Sequence, residues 1–202
     1  MIEETKNARK LADYISSTNL RIVKKNSYDY NNMGALLTDI VLQAGLSYEN
    51  VVLPRVSFIL NVLNKKNTLK DYVAFIEIHG IEYALQCKNK RKINLMKDLL
   101  DFLSNHNINK CTDFKNFIKD LRNHKELIAI KGIGPKTINY TQKLLGLDTI
   151  AVDRHIISYC KNAGINESNY FNIKKIVEYA ADFLNIPRSV MDDSIWYFMS
   201  TQ

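Results

Sequence analysis

The chain is expected to fold as an all-α protein. Apolar residues recur at three-to-four spacing along almost its whole length. Helix breakers are sparse, with seven glycines and three prolines in 202 residues. Strand-like alternation is confined to Leu20-Arg21-Ile22-Val23, a stretch suited to a short extended connection. A hydrophobic content of 46% is enough for one globular unit with a substantial core, or for two lobes sharing chain crossings. No Gly/Ser/Pro-rich linker, internal repeat or low-complexity tract interrupts the pattern, so an independent second domain is not expected.

Helices are expected near 4–17, 33–46, 50–64, 68–78, 90–105, 112–122, 124–130, 135–145, 154–163, 172–185 and 188–199. Leu36, Leu37, Ile40, Val41 and Ala44 form the stripe of the second, and Val52, Val56, Ile59, Leu60 and Leu63 that of the third. Ile93, Met96, Leu99, Leu100 and Leu103 mark the helix from 90, while Ile173, Ile176, Val177, Ala180, Ala181 and Leu184 mark the one from 172. Each stripe is a core face. Between 124–130 and 135–145 stands Ile130-Lys131-Gly132-Ile133-Gly134-Pro135-Lys136-Thr137. Gly132 and Gly134 permit a tight turn in which backbone can approach a ligand, and Pro135 suits the first position of a helix. Asp153 precedes the helix from 154, where a carboxylate caps the first N–H groups and contributes ~0.5–2 kcal/mol.

The longest apolar runs are much shorter than a membrane span, and Met1-Ile2-Glu3-Glu4 begins no signal peptide, so an intracellular protein without membrane attachment is expected. Cys87, Cys111 and Cys160 are scattered and odd in number, which suits a reducing compartment and gives no paired spacing for zinc or an iron-sulfur cluster. A side-chain metal site is not expected. The net charge of +7 favours a polyanionic partner, with basic residues gathered in Lys88-Asn89-Lys90-Arg91-Lys92, Arg21 to Lys25 and Lys65-Lys66.

Lys136 breaks a local rule. In the first turn of a helix the dipole disfavours a cation by ~0.3–1 kcal/mol, so a lysine there asks for a negative partner or a chemical task. The glycine turn with Lys136, followed by Ala151-Val152-Asp153-Arg154-His155-Ile156, closely resembles the signature of the helix-hairpin-helix (HhH-GPD) base-excision DNA glycosylases. Leu36-Leu37-Thr38-Asp39-Ile40-Val41-Leu42-Gln43-Ala44 is similar to an early helix of that family ending in a glutamine that faces DNA. Asp192-Asp193-Ser194-Ile195-Trp196-Tyr197 resembles the tail of small 8-oxoguanine glycosylases that lack an iron-sulfur cluster. The resemblance covers about residues 30 to 165 well and the two ends loosely.

The resemblance implies a two-lobed α-helical fold with a cleft between lobes, one HhH-GPD unit over 1–202. One lobe would span 29–149 and contain the hairpin, and the other would combine 1–28 with 150–202. It implies that Lys136 is the nucleophile of a bifunctional enzyme and that Asp153 stabilises the oxocarbenium-like sugar. An attacking amine must shed its proton, which desolvation and neighbouring positive charge promote. Lys131, Gly132, Ile133, Gly134 and Thr137 would grip a DNA phosphate, largely through backbone N–H groups, which positions the duplex without reading sequence. Gln43 would fill the hole left by the extruded base, and Tyr140 and Trp196 would line the pocket that receives it. Backbone carbonyls of Ile128, Ile130 and Ile133 are the candidates for a monovalent cation.

The expected activity is therefore removal of a damaged base from double-stranded DNA, an oxidised purine such as 8-oxoguanine first, with Schiff-base β-elimination at the abasic site by a monomeric enzyme. Two other readings stand beside it. One is a monofunctional glycosylase in which water attacks and Lys136 only binds. The other is a non-catalytic helix-hairpin-helix DNA-binding module.

Overall fold

The computed structural model describes residues 2–18, 20–23 and 29–201. Among them the α-helices are α1 (Ile2–Ser17), α2 (Met33–Leu42), α3 (Leu53–Leu63), α4 (Leu69–His79), α5 (Ile81–Leu85), α6 (Lys90–Asn105), α7 (Cys111–Lys119), α8 (His124–Ile128), α9 (Pro135–Leu144), α10 (Arg154–Asn162), α11 (Tyr170–Phe183) and α12 (Arg188–Ser200). A π-helical turn, Tyr48–Val52, runs into α3, and a 3₁₀ turn, Leu121–Asn123, precedes α8. No strand occurs among the described residues, and 20–23 are irregular. Lys24 and Lys25 of the expected basic cluster lie outside the described residues.

The departures from the expected elements have local causes. α2 ends at Leu42, short of 46. Gly45 turns the chain at φ 77°, and the Lys92 ammonium donates to the carbonyls of Val41 (2.7 Å) and Ala44 (2.8 Å), replacing the next helical turn. α5 was not anticipated. Gly80, at φ 84°, separates it from α4, and Gln86, in the left-handed region, ends it.

The chain divides into two compact units, Met1–Tyr28 with Pro135–Gln202, and Asp29–Gly134. The expected boundary at 149 therefore moves to the residue before α9. The reason is polar: Asn139 and Lys143 of α9 bind Tyr170 of α11 and Asp192 of α12, so α9 belongs with the C-terminal helices.

In the first unit α1 lies along α11, and α10 and α12 pack together. Their core is Leu11, Ile15, Ile156, Tyr159, Ile173, Val177, Met191 and Ile195 with their neighbours. In the second unit α2 is the central helix, every residue from Met33 to Leu42 being buried, with α3, α4 and α6 against it. Its two polar members are satisfied: Thr38 donates to the Gly34 carbonyl (2.7 Å) and meets the Tyr72 hydroxyl (3.1 Å), and Asp39 accepts from Tyr30 (2.9 Å). Burial pushes the Tyr72 hydroxyl up to about 12, so it stays a neutral partner.

Gly34 sets how closely α3 and α4 approach α2. A methyl group there would stand 2.8 Å from Leu63 Cδ1 and Tyr72 Cδ2 and 3.0 Å from Ile59 Cγ2, all buried atoms without room to retreat. Overpacking costs ~1–3 kcal/mol, against ~1 kcal/mol gained in helix propensity. Gly34→Ala is thus expected to lower the urea midpoint, and an unchanged or higher midpoint would show that these helices can part freely.

Candidate active site

The glycine turn closes the second unit. α8 ends at Ile128, and the N–H of Ile133 donates to the carbonyl of Ile130 at 3.0 Å, making a turn anchored by the buried side chains of both isoleucines. Gly132 has φ 103°, a conformation that a side chain resists, and a Cβ there would meet Leu95 Cδ2 at 3.5 Å. The exposed crest is Lys131 and Gly132. The N–H of Ile133 is engaged within the turn, and its side chain anchors it.

Gln43, in the same unit, is the C-cap of α2, half-buried, its N–H bound to the Asp39 carbonyl at 2.9 Å. It stands just before the Ala44 carbonyl that Lys92 holds. One member of the basic cluster at 88–92 is thus spent on holding this helix end.

α9 opens the segment that follows. Pro135 takes its first position, as its fixed φ and missing N–H allow, and Lys136 the second. Lys136 is half-buried, with a further polar or electrostatic partner. Thr137 is buried, so what it can offer an anion is its backbone N–H in the first turn. Tyr140, one turn beyond Lys136, is half-buried.

Asp153 is the N-cap of α10, its Oδ1 accepting from the N–H groups of His155 (2.9 Å) and Ile156 (3.0 Å). The carboxylate direction is thereby fixed on a helix start, where the dipole favours negative charge. Trp196 is half-buried and meets His155 edge-on, with ring centroids 6.2 Å apart. Lys136, Asp153, Tyr140 and Trp196 all belong to one compact unit.

A buried polar network in this unit went unread in the sequence. Lys143, at the end of α9, places its ammonium 2.6 Å from Asp192 Oδ1 and 2.9 Å from Asp193 Oδ1. Burial pulls the Lys143 amine down, but the two carboxylates outweigh it, so the group stays charged. Burial pushes Asp192 up. The other oxygen of Asp192 accepts the N–H of Ala151 at 2.6 Å. Tyr170 donates to Asn139 Oδ1 at 2.8 Å, and burial raises its hydroxyl far above the ordinary value. Asn139 is fixed in turn by donating to Gln142 Oε1 at 2.8 Å. The sequence signal was faint: α9 has only Ile138 as an aliphatic residue between Pro135 and Leu144, and the burial of Thr137, Asn139, Thr141, Gln142 and Lys143 emerges from the structure.

Cys111 and Cys160 are buried, which pushes both thiols up to about 12 and leaves them packing groups. No group of three or more His, Cys, Asp or Glu able to hold a metal ion occurs among the described residues. No helix among them is long and apolar enough to cross a membrane.

The fold is that of known DNA glycosylases. The crystal structure of H. pylori 3-methyladenine DNA glycosylase (MagIII) bound to 1,N6-ethenoadenine matches with a TM-score of 0.71 at 18% identity, over 96% of this chain and 97% of that one. Tm1821, the 8-oxoguanine DNA glycosylase of Thermotoga maritima, matches with a TM-score of 0.56 at 16% identity, over 100% and 98%. In sequence, an 8-oxoguanine DNA glycosylase/AP lyase of Metallosphaera sedula is 32% identical over 77 residues, 35% of this chain and 38% of that protein. A protein of the same name from Saccharolobus solfataricus is 32% identical over 83 residues, 36% and 40%. The chain thus spans well under half the length of the curated relatives it matches. The family described as "Domain of unknown function (DUF8548)" matches residues 58–200, more than half of the chain. The chain belongs to that family and shares the all-α fold of these DNA glycosylase structures.

Proposed function

We propose that the chain is a base-excision DNA glycosylase with an associated lyase activity, acting on double-stranded DNA with Lys136 as nucleophile and Asp153 as its electrostatic partner. The observation that carries this reading is the placement of a lysine in the first turn of α9, directly after the glycine turn, in the same compact unit as a carboxylate fixed at the start of α10. A purely structural helix start has no use for that cation.

In this reading the Lys136 amine attacks C1′ of an extruded nucleotide while the bond from C1′ to the base breaks, and the base leaves with the bonding electrons. The Asp153 carboxylate offsets the positive charge that develops on the sugar, the kind of preorganised interaction that contributes most when water is excluded. Opening of the ring gives a Schiff base. Loss of a C2′ proton then expels the 3′ phosphate and nicks the strand. Lys131, Gly132 and Gly134 position the phosphate backbone, Gln43 fills the vacated stack, and Tyr140 and Trp196 face the extruded base.

The lesion is proposed to be an oxidised purine such as 8-oxoguanine, a reading supported by the names of the curated relatives in the matched segment. A monovalent cation on the carbonyls of Ile128, Ile130 and Ile133 fits the donor set: these are neutral oxygens on a tight turn, and the Ile130 carbonyl retains a second lone pair beside the one that the Ile133 N–H uses.

Borohydride trapping on a duplex carrying 8-oxoguanine, or a preformed abasic site, tests the nucleophile. Wild type is expected to give a covalent adduct that Lys136→Ala abolishes. An undiminished adduct with Lys136→Ala would remove this lysine from the mechanism. Asp153→Asn is expected to slow base release by about 10²–10³ with duplex affinity nearly unchanged. For Lys131→Ala, a titration against salt is expected to show the slope of log K on log [salt] falling by about one. An identical slope would place this side chain away from phosphate.

A further inference from the structure

We propose that Asp192 and Tyr170 are positioning residues that set the geometry of Lys136 against Asp153: Asp192 ties the backbone N–H of Ala151, two residues before Asp153, to the helix that carries Lys136, and Tyr170 holds that same helix at Asn139. The inference rests on the reading of Lys136 and Asp153 given above.

The argument begins with the backbone. Residues 149–153 have no regular secondary structure, yet Ala151 is buried, so its N–H needs a partner other than water. That partner is a side chain that also grips α9. Asp192 spends one carboxylate oxygen on Ala151 and the other on Lys143. Tyr170, from α11, donates to Asn139 and so holds the same helix at a second point. The irregular segment is thereby fastened to α9 at Ala151, two residues before Asp153, and α9 itself is held at two points.

A helix transmits that placement. Asn139 and Lys143 lie three and seven residues beyond Lys136, about 5 and 10 Å along a rod of 1.5 Å rise per residue. Fixing the rod at both points fixes the start from which Lys136 projects. Asn139 cannot rotate away, because its amide nitrogen is held by Gln142.

Stability alone does not explain the arrangement. A well-packed apolar pair of the same volume generally serves a core as well as a buried ion pair, and here one ammonium faces two carboxylates, of which Asp192 is pushed by burial toward its neutral form. What charge and hydrogen bonds supply that apolar packing does not is direction. A reacting pair needs it, since a misplacement on the order of 1 Å costs about 10²-fold in rate.

The test uses the full chain and a duplex with a preformed abasic site, which requires no knowledge of the lesion. Single-turnover borohydride trapping gives two readouts: the endpoint counts competent enzyme, and the rate reports placement of the amine. Tyr170→Phe removes the hydroxyl that holds Asn139, and Asp192→Asn keeps the shape while breaking the pairing with Lys143. Both are expected to slow trapping by about 10- to 100-fold per competent enzyme while duplex Kd stays within about twofold. A purely structural role would lower the endpoint and the melting temperature but leave that rate at the wild-type value, and this result in Tyr170→Phe would overturn the inference whether or not Asp192→Asn folds. Lys136→Ala run alongside separates the two levels. If it abolishes the adduct while Tyr170→Phe and Asp192→Asn react like wild type, only the positioning role fails. If Lys136→Ala still forms the adduct, the assignment of the nucleophile fails and this inference falls with it.

Discussion

A lysine ammonium taken out of water at position 143 is the constraint around which the unit Met1–Tyr28 with Pro135–Gln202 is arranged. Left alone in that interior it would be intolerable, and removing one member of such a pair typically costs ~3–5 kcal/mol. Asp192 and Asp193 resolve the problem from α12, so α9 and α12 cannot shift independently. The second oxygen of Asp192 then fixes Ala151 on the path to Asp153. One buried cation thus orders two helices and an irregular segment, which apolar packing would leave free to slide.

The two units solve burial differently. In Asp29–Gly134 the central helix is apolar around nearly its whole circumference, and closeness is achieved by leaving a side chain off Gly34. Its polar groups are few and are matched within the same neighbourhood, Thr38 with Tyr72 and Asp39 with Tyr30. In the other unit α9 is half polar on its buried face, and its fit depends on specific partners. The first kind of core tolerates small rearrangements of apolar side chains; the second permits one arrangement or leaves charges unpaired. The candidate nucleophile and carboxylate both belong to the second kind.

How much was legible in the sequence follows from the same contrast. Helices with an apolar stripe announced themselves: 90–105 was placed to the residue as α6, because Ile93, Met96, Leu99, Leu100 and Leu103 all face the core. Gly132 at positive φ, Pro135 at the helix start and Asp153 as a cap were also readable, since each depends on its own backbone rather than on distant neighbours. What periodicity missed depends on residues far apart in the chain. α2 stops four residues early because Lys92 reaches back to its carbonyls, and the unit boundary falls before α9 because Lys143 finds a partner at 192. A lysine in sequence gives no sign of whether its charge will face water, a carbonyl or a carboxylate.

That ambiguity bears on the net charge of +7, the feature that first suggested a polyanionic partner. Lys143 is neutralised inside the protein, Lys92 caps α2, and Lys10 donates to the Gly164 carbonyl at 2.8 Å. Arg122 is paired with Asp120, and Arg188 with Asp182 and Glu178. The cations that hold the fold are thus distinct from the exposed Lys131 at the crest of the glycine turn. A charge engaged in neither a cap nor an ion pair is what contributes to counterion release on a phosphate backbone. The total charge therefore overstates the grip on DNA, and what matters more is where the unspent part is displayed.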